Sequence, residues 1–209
     1  MRKAFFVVAV ISISALAVMA QVVTPRASQK QTITQAVGDA TISIVYHRPN
    51  VSGRTIWGGL VPYDKVWRSG ANEATVFEVS RDVTIDGKPL PAGKYSLHTI
   101  PGKTEWTVIF NKKHDQWGSF DYDEKLDAVR ITVKPVPFPF RESLSYEFDT
   151  ISPSAAKTIL RWENVGIPFT VDIGDIHGRI MTQMREAVTA RKPDDPRPLN
   201  QAVNYVVTF

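Results

Sequence analysis

The sequence predicts an all-β fold, a jelly-roll-like antiparallel β-sandwich over residues 38–173 with a short helical C-terminal tail. Three observations support this prediction. Apolar and polar residues alternate in many short segments, turn-forming residues separate those segments, and no helical periodicity occurs before residue 174. A strand that is apolar on one face must bury that face against a second sheet. Alternation does not distinguish a sandwich from a closed barrel, so a barrel is the alternative.

The first predicted strand is the segment TISIVYH, in which Ile42, Ile44 and Tyr46 share one face. The segment ATVFEVS alternates in the same way. In VTIDGKPL, Asp86 and Gly87 form the two-residue signal for a tight type I′ hairpin turn. These segments therefore predict neighbouring antiparallel strands.

The remaining predicted strands also flank turn signals. GKYSLHTI and TEWTVIFNK lie on either side of a Pro-Gly-Lys turn at residues 101–103. DAVRITVKP and SLSYEFDT alternate almost without exception. KTILRWE and GIPFTVDI complete the set, and an Asn-Val-Gly turn at residues 164–166 is predicted to separate them. In total, eight or nine short strands are expected.

Residues 1–20 have the pattern of a cleavable signal peptide. Arg2 and Lys3 precede the apolar run AFFVVAVISISALAV, and small residues lead to a predicted cleavage after Ala20. A membrane anchor is the alternative, but the run is shorter than the about 20 apolar residues that a spanning helix needs. A periplasmic or secreted protein without an integral membrane span is therefore expected, with a polar lead at residues 21–37 before the first strand.

The tail at residues 174–209 has helical character. Asp175 is a predicted N-cap, and Ile176, Ile180 and Met184 follow at four-residue steps. The segment RKPDDPRP ends this helix, and LNQAVNYVVTF is either a second short helix or a terminal strand. The tail either packs against the sandwich or stays mobile; the alternative is a docking or dimerisation element.

The composition excludes several functions. Lys and Arg number 25 against 21 Asp and Glu, and no long basic run occurs, so nucleic acid is not a predicted partner. The absence of Cys excludes disulfides, thiol catalysis and a lipoprotein anchor. Nucleophile-elbow, zinc-protease, P-loop and dinucleotide-binding motifs are missing.

The acidic segment SFDYDEKLDAV lacks the Gly and closing Glu of a calcium loop. No cofactor or metal site is predicted, and the oligomeric state is left open.

The segment YHRPNVSGRTIWGGLVPYDKVWRSGANEAT holds the densest group of chemically capable side chains. Arg48 and Arg68 suit carboxylates or phosphates, Trp67 offers a flat apolar surface, and Asn72 and Glu73 add an amide and a carboxylate. Such residues in a connection at one end of a rigid sandwich are typical of a binding loop. The alternative is a structural plug in which the apolar residues fill the end of the sandwich.

The same segment, with LPAGKYSLHTIPGKTEWTVIFNK and DQWGSFDYDEKLDAVRITV, resembles an exported bacterial family known as domain of unknown function 2911. The resemblance covers about residues 38–173 and implies an exported, all-β single domain without an established activity. It also places in the family's motif the residues Arg48, Pro49, Arg54, Gly58, Gly59, Pro62, Trp67, Arg68, Gly70, Ala71, Asn72, Glu73, Thr75, Trp117 and Gly118, with His98 as a less certain member.

Three functions are in competition. The first is a module that binds a small anionic or sugar-like molecule. The second is a hydrolase or isomerase with Glu73 as general acid or base and His98 as its proton partner. The third is an envelope structural or assembly protein. The predicted ligand-binding residues are Arg48, Arg54, Trp67, Arg68, Asn72, Glu73, His98 and Trp117.

Overall fold

A computed structural model of the chain describes residues 24–208. The predicted signal peptide at residues 1–20 lies outside this range. Within it, neither of the two α-helices is long and apolar enough to cross a membrane.

The chain folds into two antiparallel sheets, as predicted. The six-stranded sheet has the order β1-β2-β3-β6-β7-β8, and the four-stranded sheet has the order β5-β4-β10-β9. The strands of the first sheet are β1 (Gln29–Val37), β2 (Ala40–Arg48), β3 (Thr75–Val79), β6 (Gly93–Ile100), β7 (Trp106–Asn111) and β8 (Asp127–Val133). Those of the second are β4 (Val83–Ile85), β5 (Lys88–Leu90), β9 (Val136–Ser152) and β10 (Ala155–Asp172).

The core lies between the two sheets and follows the predicted alternation. Ile42 and Ile44 on β2 are fully buried. Phe77 on β3 and Phe110 on β7 meet with ring centroids 5.0 Å apart, and Phe169 on β10 meets Phe110 at 5.6 Å. Edge-to-face rings from both sheets therefore join them at the centre of the sandwich.

The predicted hairpin at Asp86 and Gly87 is confirmed. Their φ angles are 45° and 81°, the left-handed pair that a type I′ turn requires. The Asp86 carboxylate also accepts a hydrogen bond of 2.8 Å from the backbone N–H of Thr170, which fixes the β4–β5 hairpin to β10.

The predicted turn at residues 164–166 is wrong. β10 runs without a break from Ala155 to Asp172. It pairs with β9 from Ala155 as far as Gly166 and with β4 at Val171 and Asp172. The irregularity is a bulge, where the register shifts around Glu163, which has a φ of 52°. A turn-like sequence thus bends one long strand.

The first sheet begins earlier than the sequence indicated. β1 lies within the segment assigned to the polar lead and pairs with β2 along its whole length, from Gln29 opposite Arg48 to Val37 opposite Ala40. Its side chains are mostly exposed or half-buried, because it is an edge strand. Its apolar signal is correspondingly weak.

The tail is helical, with α1 at Ile176–Ala190 and α2 at Arg197–Thr208. The Asp175 side chain caps α1 by accepting a 2.9 Å hydrogen bond from the backbone N–H of Gly178, as predicted. Ile176 is buried against the core, and Arg179 pairs with Asp39 at 3.2 Å. The start of α1 is therefore attached to the sandwich.

One further helical element lies between the strands of the first sheet: a 3₁₀ turn at Glu124–Leu126 precedes β8.

Candidate functional site

The long connection between β2 and β3 lies across one end of the sandwich and is partly core. Ile56, Val61 and Trp67 are buried. Trp57 and Trp67 form an aromatic cluster with Trp106 and Trp162, with ring centroids 4.8 to 5.9 Å apart. The structural-plug hypothesis is thus correct for Ile56, Val61 and Trp67, whereas Leu60 and Pro62 are exposed.

Backbone hydrogen bonds hold the connection rigidly. Trp67 and Thr99 exchange two backbone hydrogen bonds of 2.8 Å. The carbonyl of Ser69 accepts from the hydroxyls of Thr75, at 3.0 Å, and Tyr146, at 2.9 Å. Ser69 and Asn72 have positive φ angles of 55° and 58°, which turn the chain sharply. The polar side chains of Arg68 and Asn72 are therefore presented from a fixed backbone.

A cleft of about 610 Å³ opens beside this connection. Arg54 and Arg68 are the only charged residues of its described lining, which contains no Asp or Glu. Leu60 supplies exposed apolar surface beside the buried Trp67 and Trp162. The polar groups of the lining come from Asn50, Ser52 and Asn72. The full lining is Ala27, Ser28, Pro49, Asn50, Ser52, Arg54, Leu60, Val61, Trp67, Arg68, Gly70, Ala71, Asn72 and Trp162. The charge of this surface is positive.

Arg68 is the most unusual residue of the cleft. Its side chain is half-buried, and its Nε is buried without a hydrogen-bond acceptor among residues 24–208. Burial lowers the pKa of Arg68, with no contribution from a neighbouring charge, although a guanidinium stays protonated at any ordinary pH. A desolvated cation without a counter-ion is costly, so its position requires an explanation.

Arg54 and Trp67 have fixed positions around the cleft. Arg54 donates from Nε to the carbonyl of Val51, at 3.1 Å, and from a terminal nitrogen to the carbonyl of Asn50. Trp67 donates from its indole nitrogen to the carbonyl of Gly70 at 3.1 Å. These bonds are made within the connection itself, so both side chains are oriented before any ligand arrives.

Glu73 and Trp117 lie in a different concavity, of about 430 Å³, together with His47. The Glu73 carboxylate accepts hydrogen bonds of 2.7 Å on both oxygens from Arg26, and His47 Nδ1 lies 3.4 Å from it. The bond from Arg26 lowers the pKa of Glu73, so the carboxylate is ionised at neutral pH. Burial lowers the pKa of His47 even though Glu73 opposes this, so the imidazole is neutral there.

His98 lies inside the fold, where it contacts two serine side chains. It is fully buried, with ring nitrogens 3.1 Å from the Ser119 hydroxyl and 3.0 Å from the Ser96 hydroxyl. Burial lowers its pKa to about 4, so the imidazole is neutral at pH 7. The described hydrogen bonds and ion pairs do not join His98 to Glu73. The predicted acid/base pair thus has no direct contact.

Arg48 is likewise outside the cleft. Its Nε donates a 2.9 Å hydrogen bond to the carbonyl of Leu144, so its guanidinium holds β2 against β9. Of the predicted site residues, the structure therefore brings together Arg54, Trp67, Arg68 and Asn72. Glu73 and Trp117 form a second group.

Several residues around the two concavities were not predicted from the sequence. Trp162 lies on β10, where the sequence pattern indicates an ordinary core residue. Ser28 and Arg26 belong to the polar lead. His47 ends the first predicted strand, and its place at the start of the candidate segment was the one available signal.

The acidic segment before β8 is part of a hydrogen-bond network. Asp127 accepts 2.7 Å hydrogen bonds from Asn111 and Tyr122 and pairs with Arg130 at 2.7 Å. Burial and the bond to Asp127 raise the pKa of Tyr122 to about 12. Nowhere in residues 24–208 do three or more His, Asp or Glu side chains come together as metal ligands would.

The fold and the cleft together define a β-sandwich protein with an arginine-lined concavity at one end. A family model described as "Protein of unknown function (DUF2911)" matches residues 28–171, and the chain belongs to this family. The match spans β1 to nearly the end of β10 and stops before the two helices. Neither the curated proteins nor the solved structures contain a match.

Proposed function

We propose that this protein binds a small anionic molecule in the arginine-lined cleft. The observation that carries the proposal is the half-buried guanidinium of Arg68, which has no counter-ion among the described residues and faces a cleft without acidic side chains. An anion bound beside Arg68 would offset the cost of its desolvation.

The lining also limits the kind of anion. Arg54 and Arg68 present two guanidinium groups, which favour a carboxylate or a phosphate. Leu60, which is 47% exposed, places apolar surface in the same cleft beside the buried Trp67 and Trp162. This favours a ligand with an apolar portion. A volume of about 610 Å³ suits a small organic molecule.

The geometry favours a binding module over the acid/base hypothesis. Glu73 contacts Arg26 and His47, whereas His98 contacts serine and glutamine side chains below the surface. We extend the proposal to location: with residues 1–20 as a signal peptide, the ligand would be met in the periplasm or outside the cell.

A ligand screen with purified protein tests the proposal. Inorganic phosphate, citrate and glucuronate are compared with glucose, which lacks a charge, by thermal shift and then by calorimetry. The anions are expected to stabilise the protein, by about 2.7 kcal/mol at a hundred times the Kd, while glucose has no effect. The effect should weaken at high salt, because screening reduces electrostatic attraction. If no anion changes the melting temperature, the proposal is wrong.

A further inference from the structure

We propose that Glu73 and Trp117 form a recognition site for a guanidinium group, separate from the arginine-lined cleft, and that Arg26 of the chain itself occupies this site. The site has two elements that recognise such a cation. One is a carboxylate that binds one Arg26 nitrogen, Nη1, through both oxygens at 2.7 Å, and the other is the Trp117 ring, whose centroid lies 5.5 Å from Arg26 Cζ.

The site is held together without Arg26. Glu73 and Trp117 form an antiparallel backbone bridge. On either side of it, Ala74 N–H donates to the carbonyl of Gln116 at 3.0 Å, and Gly118 N–H donates to the carbonyl of Asn72 at 3.0 Å. The carboxylate and the ring are therefore positioned side by side by the backbone, as a preorganised site requires.

Arg26, in contrast, comes from a segment with no regular structure. Residues 24–28 precede β1, and Arg26 itself is exposed. The side chain of Asn72 donates a 3.3 Å hydrogen bond to the carbonyl of Ser28. In the described part of the chain, this bond and those of Arg26 itself are the hydrogen bonds that hold residues 24–28. Arg26 is therefore a removable occupant of a site that stays formed.

The Trp117 side chain is 52% exposed, an unusual state for the largest apolar residue type. An exposed Trp beside an ionised carboxylate suits a flat, delocalised cation that stacks on the ring and donates parallel hydrogen bonds. A guanidinium has both properties, whereas an ammonium donates hydrogen bonds but has no planar face to stack on the ring. The expected ligand is therefore an arginine side chain or a small molecule with a guanidinium group.

An occupant on the same chain competes with any free ligand. Its effective concentration is on the order of millimolar for a short flexible connection. The apparent Kd of a free guanidinium compound equals its intrinsic Kd divided by the fraction of open sites. Because the Arg26 pair is solvent-exposed and of modest strength, its removal should tighten binding by about three- to tenfold.

The test compares the wild-type protein with Arg26→Ala, using N-acetylarginine amide as the probe. This compound carries a guanidinium but no carboxylate or free amine. The indole N–H resonance of Trp117, assigned through Trp117→Phe, reports binding. We expect tighter binding to Arg26→Ala, weaker binding by N-acetyllysine amide, and no binding by N-acetylcitrulline amide, which has the same shape without the charge. Arg81→Ala, which removes an arginine paired with Asp39 at 3.1 Å, is the matched control and should bind like the wild type.

A second variant tests whether the Glu73 carboxylate is required for binding of the probe. Glu73→Gln combined with Arg26→Ala should lose binding of N-acetylarginine amide yet keep the wild-type response to anions. Equal affinity of the probe for the wild type and Arg26→Ala would overturn the proposal, as would equal binding of the citrulline compound. Either of these results would contradict the guanidinium site without bearing on anion binding at Arg68, so the two proposals are tested separately.

Discussion

Replacement of Arg68 by Met should make the protein more stable and at the same time weaken its anion binding. Nε of Arg68 is buried without an acceptor among the described residues, and the rest of the side chain is half-buried. An unsatisfied buried donor costs about 1–3 kcal/mol. We take the lower end because part of the guanidinium reaches the cleft. Arg68→Met should therefore raise the free energy of unfolding by about 1 kcal/mol and the melting temperature by about 2–4 °C.

The loss of affinity follows from the same group. A hydrogen bond between charged partners contributes about 1.5–3 kcal/mol, so the Kd for an anion should increase by about 10- to 150-fold. Denaturant unfolding followed by tryptophan fluorescence measures the stability, and calorimetry with the anion that gives the largest thermal shift measures the affinity.

Arg81→Met is the matched control, because Arg81 is paired with Asp39 and lies outside the cleft lining. It should lower stability slightly, by about 0.5–1 kcal/mol, and leave anion binding unchanged. An Arg68→Met protein that is less stable than the wild type and binds anions equally well would refute the functional role of Arg68.

Three further predictions concern the fold. Thr158→Val should raise the free energy of unfolding by about 1 kcal/mol, since the Thr158 hydroxyl is fully buried and has no partner among residues 24–208; a less stable variant in denaturant unfolding would contradict this. Gly87→Ala should cost about 1–2 kcal/mol in the same assay, because φ is +81° there while the space around it is open; unchanged stability would show that the hairpin relaxes. The neutral, buried His98 stabilises the fold above its unfolded pKa of about 6.5, and this stability, on the order of 2–3 kcal/mol, is lost as the pH falls from about 6.5 towards 4. Comparison of wild type with His98→Asn across that range isolates the effect, and equal pH slopes would refute it.

The sandwich could be predicted from the sequence because burial imposes a two-residue period on every central strand. Ile42 and Ile44 show this most clearly. The prediction of a turn at residues 164–166 was wrong for a local reason, because a bulge and a turn favour the same residue types. Only the pairing of β10 with β9 distinguishes the two.

The candidate site was predictable in its composition and not in its arrangement. Arg68 and Glu73 are close in sequence, yet they line separate concavities. Left-handed backbone at Ser69 and Asn72 redirects the chain between them. Asn tolerates a positive φ without requiring it, and Ser rarely adopts one, so the sequence does not predict this division. The role of Arg26 depends on a tertiary contact across 47 positions of the chain.

The polar composition of β1 has a consequence for the solubility of the protein. β1 is an outer strand of the six-stranded sheet, so one row of its backbone N–H and C=O groups has no neighbouring strand within residues 24–208. Such an edge is a template for aggregation when it is flat and apolar. The sequence QKQTITQAV places a Lys and three Gln along it, which makes the addition of a foreign strand unfavourable. The weak apolar pattern of β1 thus protects the folded protein against self-association through this edge.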